Sequence, residues 1–218
     1  MALPVINSHQ IAIGSKALFV IPGFTIFGLE MIAEALNKTG SYSEQDLMLF
    51  EKEVTIRDFA QDELILNVNE VARSAYYIVS GAVYQYSIAD EIDQVILELG
   101  ADGSWMLDQK SFVAQQPADT YIKAYQKSRI LELSIDAIHK LIALSPTFFQ
   151  LGRLVDGASQ RTNFFDQSLS PLEKYQSLIS STPLLLQKFP LKMIASYLKV
   201  TPETLSRVRK KIVASGIS

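Results

Sequence analysis

The sequence predicts an α+β protein with three parts: a jelly-roll β-roll, one long helix and a small C-terminal group of helices. Residues 51–134 form short alternating apolar and polar runs between turns, which is typical of antiparallel strands in a sandwich or barrel. Residues 145–169 change to a helical period, and residues 171–218 contain four short helical segments. Strands followed by helices define the α+β class.

Composition limits the chemistry that this chain can perform. Of 218 residues, 48% are hydrophobic and 20% are charged, so the chain can bury a core and is not disordered. There is no cysteine, and the only histidines are His9 and His139. Thiol catalysis, disulfides and multi-histidine metal sites are therefore excluded. We expect no cofactor, no metal and no enzymatic activity, and the lack of cysteine is compatible with a cytoplasmic protein.

The first forty residues are conspicuously apolar. The uncharged stretch from Ala17 to Leu29 is only thirteen residues long and contains Pro22, whereas a membrane span needs about twenty apolar residues. A signal peptide would carry more positive charge before the apolar stretch than Lys16 alone supplies. We therefore expect no membrane contact, but an apolar extension packed on the main body, with a helix that begins near residue 26 and ends near Asn37.

The long helix is expected to begin at Ser145 and Pro146, because proline is favoured in a first turn. Apolar or small residues then recur at steps of three and four. A 3.5-residue period is typical of a two-helix seam, although a core helix lying on the barrel is the alternative. We predict a homodimer with twofold symmetry. Its predicted interface residues are Phe148, Leu151, Val155, Ala158, Thr162, Phe165 and Leu169.

Residues 190–213 have the pattern of a helix-turn-helix. Pro190 stands at the start of the first helix, Lys199 and Val200 form the turn, and Thr201 and Pro202 are a good cap and first residue for the second helix. If Lys199 adopts a left-handed conformation, it costs about 1 kcal/mol.

The two faces of the second helix differ in chemistry. Leu205, Val208 and Ile212 are spaced to face inward, whereas the opposite face is polar and basic. Arg207 can donate a bidentate pair to guanine, and Glu203 can accept from a cytosine amino group. Cations beside them suit phosphate contacts. The predicted DNA-binding residues are Lys192, Thr201, Pro202, Glu203, Thr204, Ser206, Arg207, Arg209, Lys210 and Lys211.

Charge is distributed unevenly along the chain. The net charge of −3 is the sum of −9 over residues 1–170 and +6 over residues 171–218. The basic end therefore suits a nucleic-acid partner, and the acidic part would repel phosphates and help to orient the molecule.

At these residues the chain resembles the Crp/Fnr-type transcription regulators, of the variety common in Bacteroidetes. Residues 190–198 and 201–211 are similar to the family's C-terminal signature almost residue for residue, and residues 77–83 resemble its sensor hairpin. The resemblance covers roughly residues 42–213. It implies a cyclic-nucleotide-binding-like β-roll, a dimerisation helix and a C-terminal DNA-binding domain that is winged-helix-like, with Glu203 and Arg207 as the residues that read bases.

The expected organisation then has four parts. An apolar extension occupies residues 1–41, a sensor β-roll residues 42–144, the dimerisation helix residues 145–169 and the DNA-binding domain residues 170–218. The predicted function is a regulator that binds palindromic double-stranded DNA as a homodimer. RNA polymerase is a candidate further partner, and the effector is not identified by the sequence.

The signal that such a sensor would read is constrained by departures from the family pattern. Members that bind cyclic nucleotides carry a Gly-Glu pair and a later Arg, but residues 100–120 contain no Arg, and Asp119 adds a negative charge. We therefore expect no response to cyclic AMP. The absence of cysteine and the scarcity of histidine disfavour iron–sulfur and haem sensing.

Aromatic residues in the strand region form a candidate pocket for an apolar effector. The predicted lining is Tyr84, Trp105, Met106 and Tyr121. The alternatives are that these residues are ordinary barrel core, or that the roll has lost ligand binding.

Two other functions are alternatives to DNA binding: the sequence lacks a feature that the first requires, and it has a feature that the second does not need. A cupin-like barrel protein would need histidines clustered on strands, which His9 and His139 do not provide. An interaction module with the same roll but no DNA binding would not need the basic C-terminal part.

Overall fold

A β-roll of two four-stranded antiparallel sheets forms the larger part of the computed structural model, which describes residues 10–11, 18–19, 26–89, 93–156 and 168–214. The first sheet has the order β3-β10-β5-β8 and the second the order β4-β9-β6-β7, and β1 pairs with β2 apart from both. The strands are β1 (Gln10–Ile11), β2 (Leu18–Phe19), β3 (Thr55–Phe59), β4 (Leu64–Leu66), β5 (Ser74–Ser80), β6 (Ala82–Ala89), β7 (Asp93–Ala101), β8 (Ser104–Met106), β9 (Tyr121–Ala124) and β10 (Ser128–Ser134).

Helices precede, interrupt and follow the roll. Those at the N-terminal side and around the strands are α1 (Ile26–Asn37), α2 (Glu44–Glu53), α3 (Gln109–Ala114), α4 (Ile135–Leu144), a 3₁₀ helix (Pro146–Gly152) and α5 (Arg153–Asp156). The C-terminal helices are α6 (Pro171–Ser181), α7 (Pro183–Lys188), α8 (Leu191–Tyr197) and α9 (Pro202–Ala214).

The junction between β5 and β6 passes the chain from one sheet to the other. Gly81 has a φ of +118°, and a Cβ at this position would lie 2.3 Å from Ser128 Oγ. Only glycine can adopt this φ without strain and also fit in the space beside Ser128. Its N–H donates to Asp102 Oδ1 at 2.6 Å, which fixes the turn.

The core of the roll also includes the helix predicted near the N-terminus. The expected helix is confirmed as α1, and Met31, Ile32 and Leu36 on it are buried in the same cluster as Ile78 and Leu131 of the sheets. Trp105 Nε1 donates to Ala35 O at 2.9 Å, which ties α1 to β8.

Two helices that the strand pattern did not predict are explained by their caps. Ser43 and Asp46 form a capping box at the start of α2, and Asp108 caps α3 by accepting from the Ser111 N–H at 2.9 Å. Side-chain bonds of this kind, reciprocal at α2 and single at α3, satisfy free N–H groups of a first turn. The spacing of Ser43 and Asp46, and of Asp108 and Ser111, was the sequence signal for both helices.

The helix predicted over residues 145–169 is corrected at its beginning. Residues 146–152 form a 3₁₀ helix rather than an α-helix, so the heptad does not run unbroken from Ser145. Phe148 and Leu151 are buried within the single chain, where the Phe148 ring lies 5.6 Å from that of Tyr42. They are core residues and do not offer surface to a second copy. Val155 is half-buried against the same core.

The rest of the predicted seam is only partly described. Ala158, Thr162 and Phe165 lie outside the described residues, and Leu169 is half-buried just before α6. Beside the buried Phe148, the ring of Phe149 is 68% exposed.

Candidate nucleic-acid interface

The C-terminal helices α8 and α9 are joined by a tight turn, as the sequence predicts. Thr201 Oγ1 accepts from the Thr204 N–H at 3.2 Å, so the expected cap of α9 is present. Lys199 in the turn has a φ of +56°, which confirms the left-handed residue and its cost of about 1 kcal/mol. Burial of its side chain lowers the pKa of Lys199.

One face of α9 and the crossing residue of α8 form the support of this pair. Leu205 and Val208 are buried, Ile212 packs at the margin, and Ala195 of α8 is fully buried where the helices cross. A small residue at the crossing lets the two helices approach closely. The inward positions predicted from spacing are thus confirmed.

The opposite face of α9 is exposed and holds the predicted base-reading residues. Glu203, Arg207 and Lys210 follow one another at four and three residues, so they lie on one face along about 10 Å of helix. All three are exposed, whereas Ser206 between them is half-buried. A major groove admits a helix face of this length.

The other predicted contact residues surround that face. Arg209 and Lys211 are exposed on its two flanks, Thr204 is half-buried, and Thr201 and Pro202 are exposed at the N-terminal end. Lys192 is exposed on the first turn of α8. Arg209 and Lys211 thus border the exposed face of α9, whereas Lys192 and Pro202 line a groove with Gln94 and Ile96 of β7.

The predicted effector pocket is not assembled, and this expectation is wrong. Tyr84 and Tyr121 lie on the outer face of the second sheet, where Tyr84 packs against C-terminal helices. Met106 is buried in the core of the roll, and Trp105 packs against α1. Trp105 and Met106 are neighbours on β8 and point to opposite faces, whereas Tyr84 and Tyr121 lie on the outer face of the other sheet, so the four side chains do not meet.

The interior of the roll holds a polar network that the sequence did not reveal. Gln85 Nε2 donates to Thr120 Oγ1 at 2.8 Å and to Asp108 Oδ2 at 3.2 Å, and the Thr120 hydroxyl donates to the same carboxylate. All three residues are buried. The alternation of Gln85 with Tyr84 and Tyr86 along β6 was the only signal, because it places the amide on the inner face.

Asp119, the other carboxylate of this region, lies at the surface. Lys110 Nζ lies 2.5 Å from its carboxylate, and the hydrogen bond from Lys110 lowers the pKa of Asp119. The group is therefore ionised at neutral pH, as the sequence argument assumed.

Comparison with solved structures identifies the class of fold. No protein-family model and no curated protein matches the sequence. Among solved structures, FixK2 from Bradyrhizobium japonicum is similar with a TM-score of 0.61 and 16% identity over 75% of this chain and 86% of that one. A CooA mutant from Carboxydothermus hydrogenoformans has a TM-score of 0.57 and 19% identity over 85% of each chain. The catabolite activator protein of Thermus thermophilus has a TM-score of 0.52 and 17% identity over 84% of this chain and 88% of that one.

These similarities define the class of fold. A cyclic-nucleotide-binding domain from Methylobacillus flagellatus also matches, with a TM-score of 0.54 and 15% identity over 66% of this chain and 87% of that one. The chain thus has the cyclic-nucleotide-binding domain fold, as the sequence resemblance implied. In the described ranges, no helix is long and apolar enough to cross a membrane, and no group of acidic and histidine side chains could hold a metal ion.

Proposed function

We propose that this chain is a non-enzymatic, cytoplasmic transcription regulator of Crp/Fnr type that binds a palindromic DNA site as a homodimer. The observation that carries this proposal is the exposed face of α9, on which Glu203, Arg207 and Lys210 project away from the buried Leu205 and Val208. In a helix-turn-helix, the second helix enters the major groove and the first crosses the backbone. Here α9 is the recognition helix and α8, with Lys192, the crossing helix.

Electrostatics supports the same assignment. Residues 171–218 have a net charge of +6. Lys192, Arg209, Lys210 and Lys211 are exposed around the recognition face. Phosphate contacts from these cations supply affinity, whereas Glu203 and Arg207 supply the preference between sequences.

Salt dependence of DNA binding is the direct test of this function. The four cations in each subunit predict about eight phosphate contacts per dimer, so log K against log salt should have a slope of about −7. Affinity for duplexes enriched from a random library should fall about 10⁴-fold between 50 mM and 200 mM salt. Fluorescence anisotropy measures both quantities.

A matched variant controls for the general charge of the protein. Lys127 is exposed on the β-roll, so Lys127→Ala should leave the slope unchanged. If no duplex is retained at 50 mM salt, the DNA-binding function is wrong and the chain is an interaction module with the same fold.

The proposed dimer contact lies along the segment that follows Ser145, without the residues that are buried in the core of the single chain. Phe148 and Leu151 are occupied in the core, so the contact begins with the exposed Phe149 and continues through Val155 and the predicted positions 158, 162, 165 and 169. A large exposed aromatic ring is the kind of residue that dominates protein interfaces.

The interior of the roll supports a regulator that does not respond to cyclic AMP. Asp108 is a buried carboxylate whose oxygens accept from Gln85, Thr120 and the Ser111 N–H, and residues 100–120 supply no arginine. A cyclic phosphate near this group would meet a like charge, and the one lysine of this stretch, Lys110, is already paired with Asp119.

We therefore expect 1 mM cyclic AMP to shift the melting temperature by less than 1 °C. A site with a dissociation constant one-hundredth of the ligand concentration would add about 2.7 kcal/mol, or roughly 5–10 °C for a chain of this size. Differential scanning fluorimetry resolves that difference. A shift of several degrees with cyclic AMP, but not with AMP, would contradict the expectation.

A further inference from the structure

The outer face of the second sheet is covered by the C-terminal helices. Tyr84 and Tyr86 of β6 are only 5% and 6% exposed although they point away from the core of the roll. Their rings stack at 5.2 Å, and Tyr86 stacks on Tyr121 at 5.0 Å. Tyr125 contacts Phe189 beyond α7 at 5.1 Å, so the row of tyrosines continues into the C-terminal helices. Burial raises the pKa of Tyr84 to about 12, so its hydroxyl is neutral at physiological pH.

Three polar contacts fix the helices along β7, the edge strand of that sheet, and the turn after it. In the first, the Tyr197 hydroxyl of α8 donates to Glu98 Oε1 at 3.5 Å. The Ile96 N–H donates to Ser196 Oγ of α8 at 3.0 Å, and Lys188 of α7 forms an ion pair with Asp102 at 3.3 Å. Ile96 lies in β7 and Asp102 directly after its end, so six residue steps of mostly extended chain, about 20 Å, separate them. Two attachments this far apart define the orientation of a small helical unit as well as its position.

The covered side of the helices is distinct from the proposed DNA side. Tyr197 at the end of α8 and Leu198 after it are buried in the interface cluster. Glu203, Arg207 and Lys210 of α9 are exposed. The docked arrangement therefore presents the recognition face instead of hiding it.

We propose that the β7 edge and the tyrosine face of the β-roll position the recognition helix, and thereby set the half-site spacing that the dimer accepts. This inference rests on the proposed function. In a twofold dimer, two recognition helices must match half-sites about one helical turn apart, and each extra base pair moves a half-site by about 3.4 Å and rotates it by about 34°. Ser196 is a positioning residue in this scheme, because it holds α8 without touching DNA.

The test uses Ser196→Leu, which places a bulky side chain in the 3.0 Å contact with β7, and the milder Ser196→Ala. Ser177→Leu is the matched control, because Ser177 is exposed on α6. Binding is measured to a selected palindrome and to versions with one or two base pairs added to or removed from its centre. Wild type and the control should lose at least tenfold affinity on a two-base-pair change. Ser196→Leu should lose less than threefold from its own best spacing and keep wild-type affinity for a single half-site.

A second measurement needs no DNA. Because the chain has no cysteine, spin labels can be placed at Lys127→Cys on the roll and Ser180→Cys on α6 alone. The distance distribution between them should be narrow in wild type and broader in both Ser196 variants.

A broad distribution already in wild type would overturn the inference, as would an unchanged spacing profile in Ser196→Leu. Tighter DNA binding by either Ser196 variant would also overturn it, because docking would then withhold the recognition helix. Failure of wild type to bind any duplex would instead count against the DNA-binding function, while the label distances still decide the docking.

Discussion

Arg207→Ala is expected to remove most of the preference between DNA sequences. Arg207 is exposed at the centre of the recognition face, and a bidentate arginine–guanine pair contributes about 1–3 kcal/mol to discrimination. Affinity for the selected palindrome should fall by about 10- to 100-fold per half-site, whereas affinity for unrelated duplexes should change by only a few-fold. Competition anisotropy with both duplexes gives the ratio directly.

Two further variants separate base reading from charge. Arg207→Lys keeps the cation but loses the planar fork, so it should lose sequence preference nearly as fully as alanine. Lys211→Ala, on the flank of the face, should weaken all duplexes alike and make the salt slope shallower by about 2 per dimer. If Lys211→Ala alters preference while Arg207→Ala does not, the orientation of α9 on DNA is different from the one proposed.

Phe148→Ala is expected to lower the free energy of unfolding by about 3–5 kcal/mol. The ring is fully buried beside Tyr42 and Phe50, and deleting a buried phenylalanine removes both its burial and the packing around it. Urea denaturation at fixed protein concentration measures the loss, because the stability of a dimer depends on concentration.

The neighbouring ring provides the control. Phe149→Ala should change the unfolding free energy of the subunit by less than about 0.5 kcal/mol, because the side chain is largely exposed in the single chain. It should instead shift the monomer–dimer equilibrium in analytical ultracentrifugation. A Phe148→Ala protein that keeps its stability and loses only its dimer would restore Phe148 to the predicted seam.

The sequence was most informative where one pattern governs one element. The beginning of α9 was predicted correctly, because Thr201 caps the helix and Pro202 stands in its first turn. The inward set of α9 followed from its spacing alone.

Prediction failed where two partners compete for the same apolar residue. The spacing of Phe148 and Leu151 fits a dimer seam and a core equally well, and only the position of Tyr42 and Phe50 decides between them. In the same way, the alternation along β6 showed that Tyr84 and Tyr86 share a face, but not that helices 100 residues away cover it. Long-range packing of this kind carries no local signal.

The covering of β7 has a consequence for how such chains can be recombined. An edge strand with free N–H and C=O groups is a template for pairing with other chains, and here α7 and α8 pack along it and Ser196 Oγ accepts from the Ile96 N–H. A β-roll separated from its own C-terminal helices would expose both the unpaired backbone groups of β7 and an aromatic surface. The two halves of the protein are therefore adapted to each other, and a chimaera would remain monodisperse only if the new DNA-binding partner shielded the same strand.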